Sequence, residues 1–240
     1  MERTQLCETA IGRPLRLAHL AFYEGAFERV GSDWRIDQKR IEAVLIAIEG
    51  IIGAGKTTLA KRLAEEWNAH LLLERFEDNP YLAPFYSDPT GFALPLELSF
   101  AAQRSQQWAE ACRSLGQEEH LISDFHFEKS LVFASVTLEK KAMPPFEQFS
   151  KNLFGDLQSP DIIIFLQPKP ERALENISRR ARGVEVDIPL NYLHELSMAY
   201  VQWVKEIRGS KVLELSYSSN YVPWEEYGIS VPEELRNHRS

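Results

Sequence analysis

Short apolar runs alternate with stretches of helical period over most of the chain. Residues 43–48, Ala-Val-Leu-Ile-Ala-Ile, form an uninterrupted apolar run and read as a strand buried on both faces. Residues 57–68 place Leu59, Leu63, Ala64 and Trp67 at helical spacing, the mark of a helix with one apolar stripe. Further strands are expected at 71–73, 119–123, 161–166 and 211–215. Helices are expected at 95–115, 127–140, 170–180 and 190–207. Strands alternating with helices imply right-handed crossovers and a parallel sheet covered on both sides. The expected fold is therefore α/β, three-layered, with a five-stranded parallel sheet flanked by helices. Ligands of such sheets sit at the carboxyl ends of the strands.

The pattern weakens at both ends. Residues 14–30 carry Leu15, Leu17, Ala18, Ala21, Phe22 and Phe27 at loose helical spacing, with Gly25 interrupting, and read as a short helix in an extension of no assigned role. The expected division is an extension over 1–40, a catalytic domain over 41–217 and a tail over 218–240.

Composition narrows the partners. The 240 residues carry a net charge of −8, which disfavours a nucleic-acid polymer as ligand while leaving room for a local phosphate pocket. No apolar stretch approaches the roughly 20 residues of a membrane helix. The two cysteines, Cys7 and Cys112, stand in unrelated contexts, so no zinc spacing is present, and a reducing, cytoplasmic location is expected.

The segment Gly50-Ile51-Ile52-Gly53-Ala54-Gly55-Lys56-Thr57 matches GxxxxGK[ST]. Its glycines let successive main-chain N–H groups turn inward on phosphate oxygens. Lys56 can reach the outer phosphates, the Thr57 hydroxyl can hold Mg²⁺, and the following helix, through Thr58, adds its positive end. A chance match in a chain this long is roughly a one-in-a-hundred event, and the position between a strand and a helix lowers it further.

The loop alone does not separate a motor, a switch GTPase and a kinase. The residues after it do more. Leu71-Leu72-Leu73-Glu74-Arg75-Phe76-Glu77-Asp78-Asn79-Pro80-Tyr81-Leu82, then Phe85-Tyr86-Ser87-Asp88-Pro89, and Ser123-Asp124-Phe125-His126-Phe127-Glu128-Lys129 resemble the deoxynucleoside kinase family, specifically its bacterial deoxyadenosine and deoxyguanosine branch. The resemblance runs from about residue 41 to 215 and implies transfer of phosphate from ATP, with Mg²⁺, to the 5′-hydroxyl of a deoxynucleoside for nucleotide salvage, by a protein that commonly forms homodimers. It implies that Glu74 takes the proton of that hydroxyl. Tyr86 and Glu185 would share the sugar 3′-hydroxyl, and Asp124 would lie near the metal with Thr57. The run Arg179-Arg180-Ala181-Arg182-Gly183-Val184-Glu185 resembles an arginine-rich lid in which Arg180 and Arg182 close over the phosphates. By itself that run reads first as a solvated helix end.

Two departures from the family pattern stand out. The family carries an arginine after the acid at position 124, where this chain has Phe125; Lys129 or Arg104 can supply the missing charge. Glu97 stands where most members carry a glutamine that reads the base, beside a base-pocket arginine, Arg104, and a stacking aromatic, Phe133. A glutamine offers a donor and an acceptor, an ionised carboxylate only acceptors. Guanine presents two donors on its pairing edge, so a purine preference tilted toward deoxyguanosine is expected. A nucleoside monophosphate kinase and a nucleotide-binding protein without catalysis are the competing readings.

Overall fold

The computed structural model describes residues 27–30, 33–36, 43–77, 79–116, 119–180 and 188–217. The chain divides into two units, Met1–Ile41 with Tyr221–Ser240, and Glu42–Asn220. In the first, strands β1 (Phe27–Val30) and β2 (Asp33–Ile36) pair antiparallel, Phe27 opposite Ile36. The helix expected over 14–30 is thus corrected at its end: 27–30 is extended, and 14–26 lies outside the described residues. Gly25 and the loose spacing had already weakened the helical pattern there.

The second unit holds strands β3 (Leu45–Gly50), β4 (His70–Leu72), β5 (Leu121–Ser123), β6 (Ile162–Pro168) and β7 (Lys211–Tyr217), in the order β4-β5-β3-β6-β7 and parallel throughout. Central β3 is buried along its whole length, as a strand covered by helices on both faces must be. The helices are α1 (Lys56–Trp67), α2 (Leu82–Ser87), α3 (Pro89–Ser114), α4 (Lys129–Thr137), α5 (Met143–Phe154), α6 (Pro170–Arg180) and α7 (Leu190–Glu206).

Two helices were not expected, α2 and α5, and α3 starts six residues earlier than its pattern suggested. Pro95 looks like a first-turn residue, yet it lies inside α3, and the start belongs to Asp88 and Pro89. The Asp88 carboxylate accepts from the Gly91 N–H at 3.1 Å, and proline at the first helical position forfeits no bond.

A buried carboxylate ties the strand ends to the helices. Glu49 is fully buried and accepts from the Tyr200 hydroxyl at 2.9 Å, from the Gly50 N–H at 3.3 Å and from the His126 N–H at 2.5 Å. One side chain thereby joins β3, α7 and the turn between β5 and α4. Burial raises its pKa, against the pull of Lys129 and Lys56. On the far side of that turn Phe125 is wholly buried and meets Trp108 edge-on.

Candidate active site

At the carboxyl end of β3 the chain turns through three glycines with positive φ: Gly50 at 145°, Gly53 at 83° and Gly55 at 86°. A Cβ on Gly53 would stand 2.4 Å from the Ala173 carbonyl oxygen, and one on Gly50 2.4 Å from that of Leu166. Only glycine fits a backbone so bent and so tightly backed. The Asn176 amide of α6 donates to the Gly53 carbonyl at 2.8 Å and braces the loop. Helix α1 then begins with no side-chain cap and no acid in its first turn, so its positive end stays available to an anion. Ala54 is buried and Thr58 exposed; these two contribute main chain rather than side chain to the loop. Lys56 curls back, its ammonium donating to the Gly50 carbonyl at 2.8 Å and the Ile51 carbonyl at 3.0 Å. Burial, then Lys129, lower its pKa to about 8, against the opposing pull of Glu49, Glu74 and Asp124.

Next to the loop, the Thr57 hydroxyl donates to Asp124 Oδ2 at 2.5 Å, and the other oxygen of Asp124 accepts from the Glu74 main-chain N–H at 2.9 Å. The ends of β4, β5 and α1 are thus linked through one carboxylate. A hydroxyl and a carboxylate oxygen side by side suit Mg²⁺, which takes few protein oxygens and keeps several waters.

Glu74 follows β4 and is clamped by two cations. Arg104 Nε donates to Oε1 at 2.7 Å and Lys129 Nζ to Oε2 at 2.6 Å. Both cationic side chains are at most 4% exposed and the carboxylate 13%. Arg104 Nη1 also donates to the Ser130 hydroxyl at 2.8 Å. Burial alone would raise the Glu74 pKa; Lys129 and Arg104 overcome it and hold the carboxyl at about 2.

Beyond the clamp lies the second half of a cavity of about 390 Å³ that runs from the loop across Glu74 to α3 and α4. Tyr86, Glu97, Arg104 and Phe133 line it, together with Phe100 and Tyr192. The Arg104 guanidinium stands 4.5 Å over the Phe100 ring and 5.7 Å from that of Phe133. Burial is the main force on Glu97, raising its pKa to about 7 against the pull of Arg104 and of the Thr137 hydroxyl.

One cavity therefore gathers Gly53, Gly55, Lys56, Thr57, Glu74, Tyr86, Glu97, Arg104, Asp124, Phe133 and Arg180, residues spread over more than a hundred positions. Arg182 and Glu185, and with them most of the expected lid, lie outside the described residues.

Such an arrangement, a phosphate-binding loop facing a clamped carboxylate and an aromatic pocket, fits a kinase for a ring-bearing alcohol. Residues 46–238 match the family model for deoxynucleoside kinases. The chain belongs to the deoxynucleoside kinase family. It is a kinase, and its acceptor class is the deoxynucleosides. It is 34% identical over 167 residues to the deoxyguanosine kinase of Bacillus subtilis, covering 69% of this chain and 81% of that protein. It is also 34% identical over 187 residues to the deoxyadenosine kinase of Dictyostelium discoideum, covering 76% of each. Among solved structures, deoxyadenosine kinase from M. mycoides with bound dATP superposes with a TM-score of 0.65 at 24% identity, over 72% of this chain and 90% of that one, a likeness of fold.

Against the family pattern, Phe125 is a core residue and does not line the cavity. Lys129, four residues on, does line it and reaches Glu74. Sequence reasoning left Lys129 and Arg104 as alternatives; both contact the carboxylate. Ser130 and Tyr192 were missed. The signal for Ser130 was present: it precedes Phe133 by three residues and Lys129 precedes it by four, so all three share one face of α4.

Proposed function

We propose that this kinase transfers the γ-phosphoryl group of ATP to the 5′-hydroxyl of a purine deoxynucleoside. The observation that carries the reading is the position of Glu74, inside one cavity between the phosphate loop and the aromatic pocket. Both curated relatives compared above are named for purine deoxynucleosides. In this reading the main-chain N–H groups of residues 50–57 hold the triphosphate, and Lys56 leaves the Gly50 and Ile51 carbonyls to meet its outer phosphates. Thr57 and Asp124 would hold Mg²⁺, which supplies charge neutralisation on the phosphates when bound. Tyr86, and Glu185 from the lid, take the sugar 3′-hydroxyl. Phe133 stacks on the base, and Arg180 and Arg182 neutralise the transferring group.

The 5′-oxygen forms its bond to the γ-phosphorus as the bond to the β–γ bridging oxygen breaks, ADP leaves, and the hydroxyl proton passes to Glu74. A carboxylate held at about 2 is a weak base at neutral pH. It accepts the hydroxyl's hydrogen bond and orients the oxygen first, and takes the proton late, when bonding to phosphorus has made that oxygen acidic. A loose phosphoryl-transfer transition state demands this positioning more than it demands a strong base. Lys129 stands in for the family arginine that Phe125 displaces, as the fixed cation beside the reacting oxygen. A homodimer is part of the same reading: Met198 and Val201, three residues apart on α7, are 66% and 37% exposed and offer an apolar stripe. The reading also includes a cytoplasmic location.

A panel of four deoxynucleosides and their monophosphates, with ATP and Mg²⁺, tests the proposal. Turnover with purine deoxynucleosides is expected, and turnover confined to monophosphates overturns it. Glu74→Gln is expected to lower kcat by about 10²–10⁴ with little change in KM for ATP.

A further inference from the structure

Glu97 projects from α3 into the base end of the cavity and is 1% exposed. Its Oε2 has no hydrogen-bond partner among the described residues. Its Oε1 lies 3.0 Å from the Thr137 hydroxyl, which also lies 3.0 Å from the Phe133 carbonyl oxygen. A hydroxyl carries one proton and serves one acceptor at a time. With Glu97 ionised, Thr137 donates to Oε1. With Glu97 protonated, Thr137 donates to the Phe133 carbonyl and accepts from Glu97. Rotation of a single hydroxyl therefore satisfies either form, and in both Oε2 is left without a partner among the described residues, on a side chain that lines the pocket.

We propose that Glu97 selects the nucleobase through its own protonation: the ionised carboxylate takes the paired donors of guanine, and the protonated acid relaxes the choice toward adenine. The inference rests on the kinase reading above and deepens it. Guanine sets its N1–H and its N2 amine side by side, so both can donate to one carboxylate, with charge-assisted bonds. Adenine offers its N6 amine beside the N1 lone pair, and that lone pair is repelled by a negative oxygen. Protonation removes the repulsion and weakens the guanine contact together.

The surroundings place this change in an accessible range. Burial brings the Glu97 pKa up to about 7. Among the described residues, the charged and titratable groups facing it are Arg104 on the same helix, Lys129 on α4, Tyr192 on α7, Tyr86 on α2 and Glu74 after β4. Glu74 is held at about 2, and Arg104 and Tyr192 are both shifted upward, so none of these three changes charge near neutrality. Lys56 does, at about 8, but it grips the donor and acts on every nucleoside alike. A ratio between two bases cancels it.

The experiment is the ratio of kcat/KM for deoxyguanosine to that for deoxyadenosine, with saturating ATP, at intervals from about pH 6 to about pH 8.5. In the wild type the ratio is expected to rise by about tenfold or more across that range. In Glu97→Gln it is expected to be flat and shifted toward deoxyadenosine. Deoxyinosine, which keeps N1–H and lacks the N2 amine, should trail deoxyguanosine by about tenfold at the upper pH and by less at the lower. A flat wild-type ratio overturns the inference, as does a pH dependence that survives in Glu97→Gln. Should that variant fail to fold, the wild-type profile and the deoxyinosine comparison still decide. Turnover with an unchanging ratio sinks only this inference, whereas absence of turnover with every deoxynucleoside sinks the kinase reading as well.

Discussion

The two halves of the cavity are built from different materials. The donor half is main chain: eight consecutive residues, three of them glycines with positive φ, backed by α6 and followed by the bare end of α1. The acceptor half is side chain: Glu74, Arg104, Lys129 and Ser130 come from three different elements and meet in one buried network, with Glu97 beside it on α3. A cradle of N–H groups recognises any triphosphate and tolerates little change in backbone. A side-chain network can be rewired residue by residue; here Phe125 packs in the core and Lys129 meets Glu74. In the proposed reading the donor half sets what is transferred, and the acceptor half sets what receives it.

The sharpest way to break this division is to empty one half. Lys56→Ala should lower kcat/KM for ATP by about 10³-fold or more, the scale on which a charge aimed at a developing anion matters. Calorimetry should find deoxynucleoside binding within about threefold of wild type, since among the described residues the hydrogen bonds of Lys56 go to the loop carbonyls of Gly50 and Ile51. Loss of nucleoside binding in that variant would show that the halves do not act separately.

Lys129→Met comes next and cuts the network from the acceptor side. The change keeps length and removes charge, so Glu74 loses one of its two cations while Arg104 remains. A fall in kcat of about 10- to 100-fold is expected. Lys129→Arg, which restores the charge, should recover most of that loss. Equal losses in both variants would mean that shape rather than charge matters at this position. Glu74→Gln differs in kind, because it leaves two almost wholly buried cations without their carboxylate. It should lower Tm as well as kcat, and thermal denaturation beside the kinetics separates the two effects.

A smaller and graded effect sharpens the donor half. The Lys56 pKa is lowered, to about 8, so its charge is complete at lower pH and is lost as pH rises through that value. In the proposed reading, affinity for ATP depends on the charged form. KM for ATP should therefore rise by up to about tenfold per pH unit above about 8. Bound triphosphate pulls the pKa back up, so kcat should hold to higher pH than kcat/KM. A pH-independent KM would mean that the ammonium contributes little to gripping the donor.

How much of this could be seen in the sequence follows the same line between the halves. The donor half was legible from residues alone, because a bend that only glycine permits must be written in consecutive positions. The five strands were legible for a related reason: a parallel sheet covered on both faces needs unbroken apolar runs such as Leu45 to Ile48 and Ile162 to Leu166. Glu74 and Asp124 could be placed only through resemblance to a family, since no local rule distinguishes them from Glu77. The Lys129 contact stayed undecided because it depends on which way the chain turns after Asp124. The Ser123 hydroxyl settles that turn: it donates to the Phe125 carbonyl at 2.7 Å and accepts from the Phe125 N–H at 3.2 Å. Phe125 then packs inward against Trp108. The short α2 was hidden by its surroundings, as six residues between Pro80 and Pro89 carry no usable period.

The mildest test falls on Ser130, where the network should show that it is a network. Its hydroxyl accepts from Arg104 Nη1, and among the described residues this is its one link to the cavity. In Ser130→Ala, Arg104 keeps its bond to Glu74 and its place over the Phe100 ring, and loses its hydrogen bond to the serine. A buried guanidinium donor left without that partner costs about 1 kcal/mol or somewhat more, equivalent to roughly a five- to tenfold change in an equilibrium. Because Arg104 lies on the base side of the clamp, the change should appear as a several-fold rise in KM for the deoxynucleoside. Both kcat and KM for ATP should stay within about twofold of wild type. If kcat falls instead, the serine is holding Glu74 in line for phosphoryl transfer through Arg104. The base pocket and the reacting carboxylate would then form a single mechanical unit, and the acceptor half could not be rewired one residue at a time.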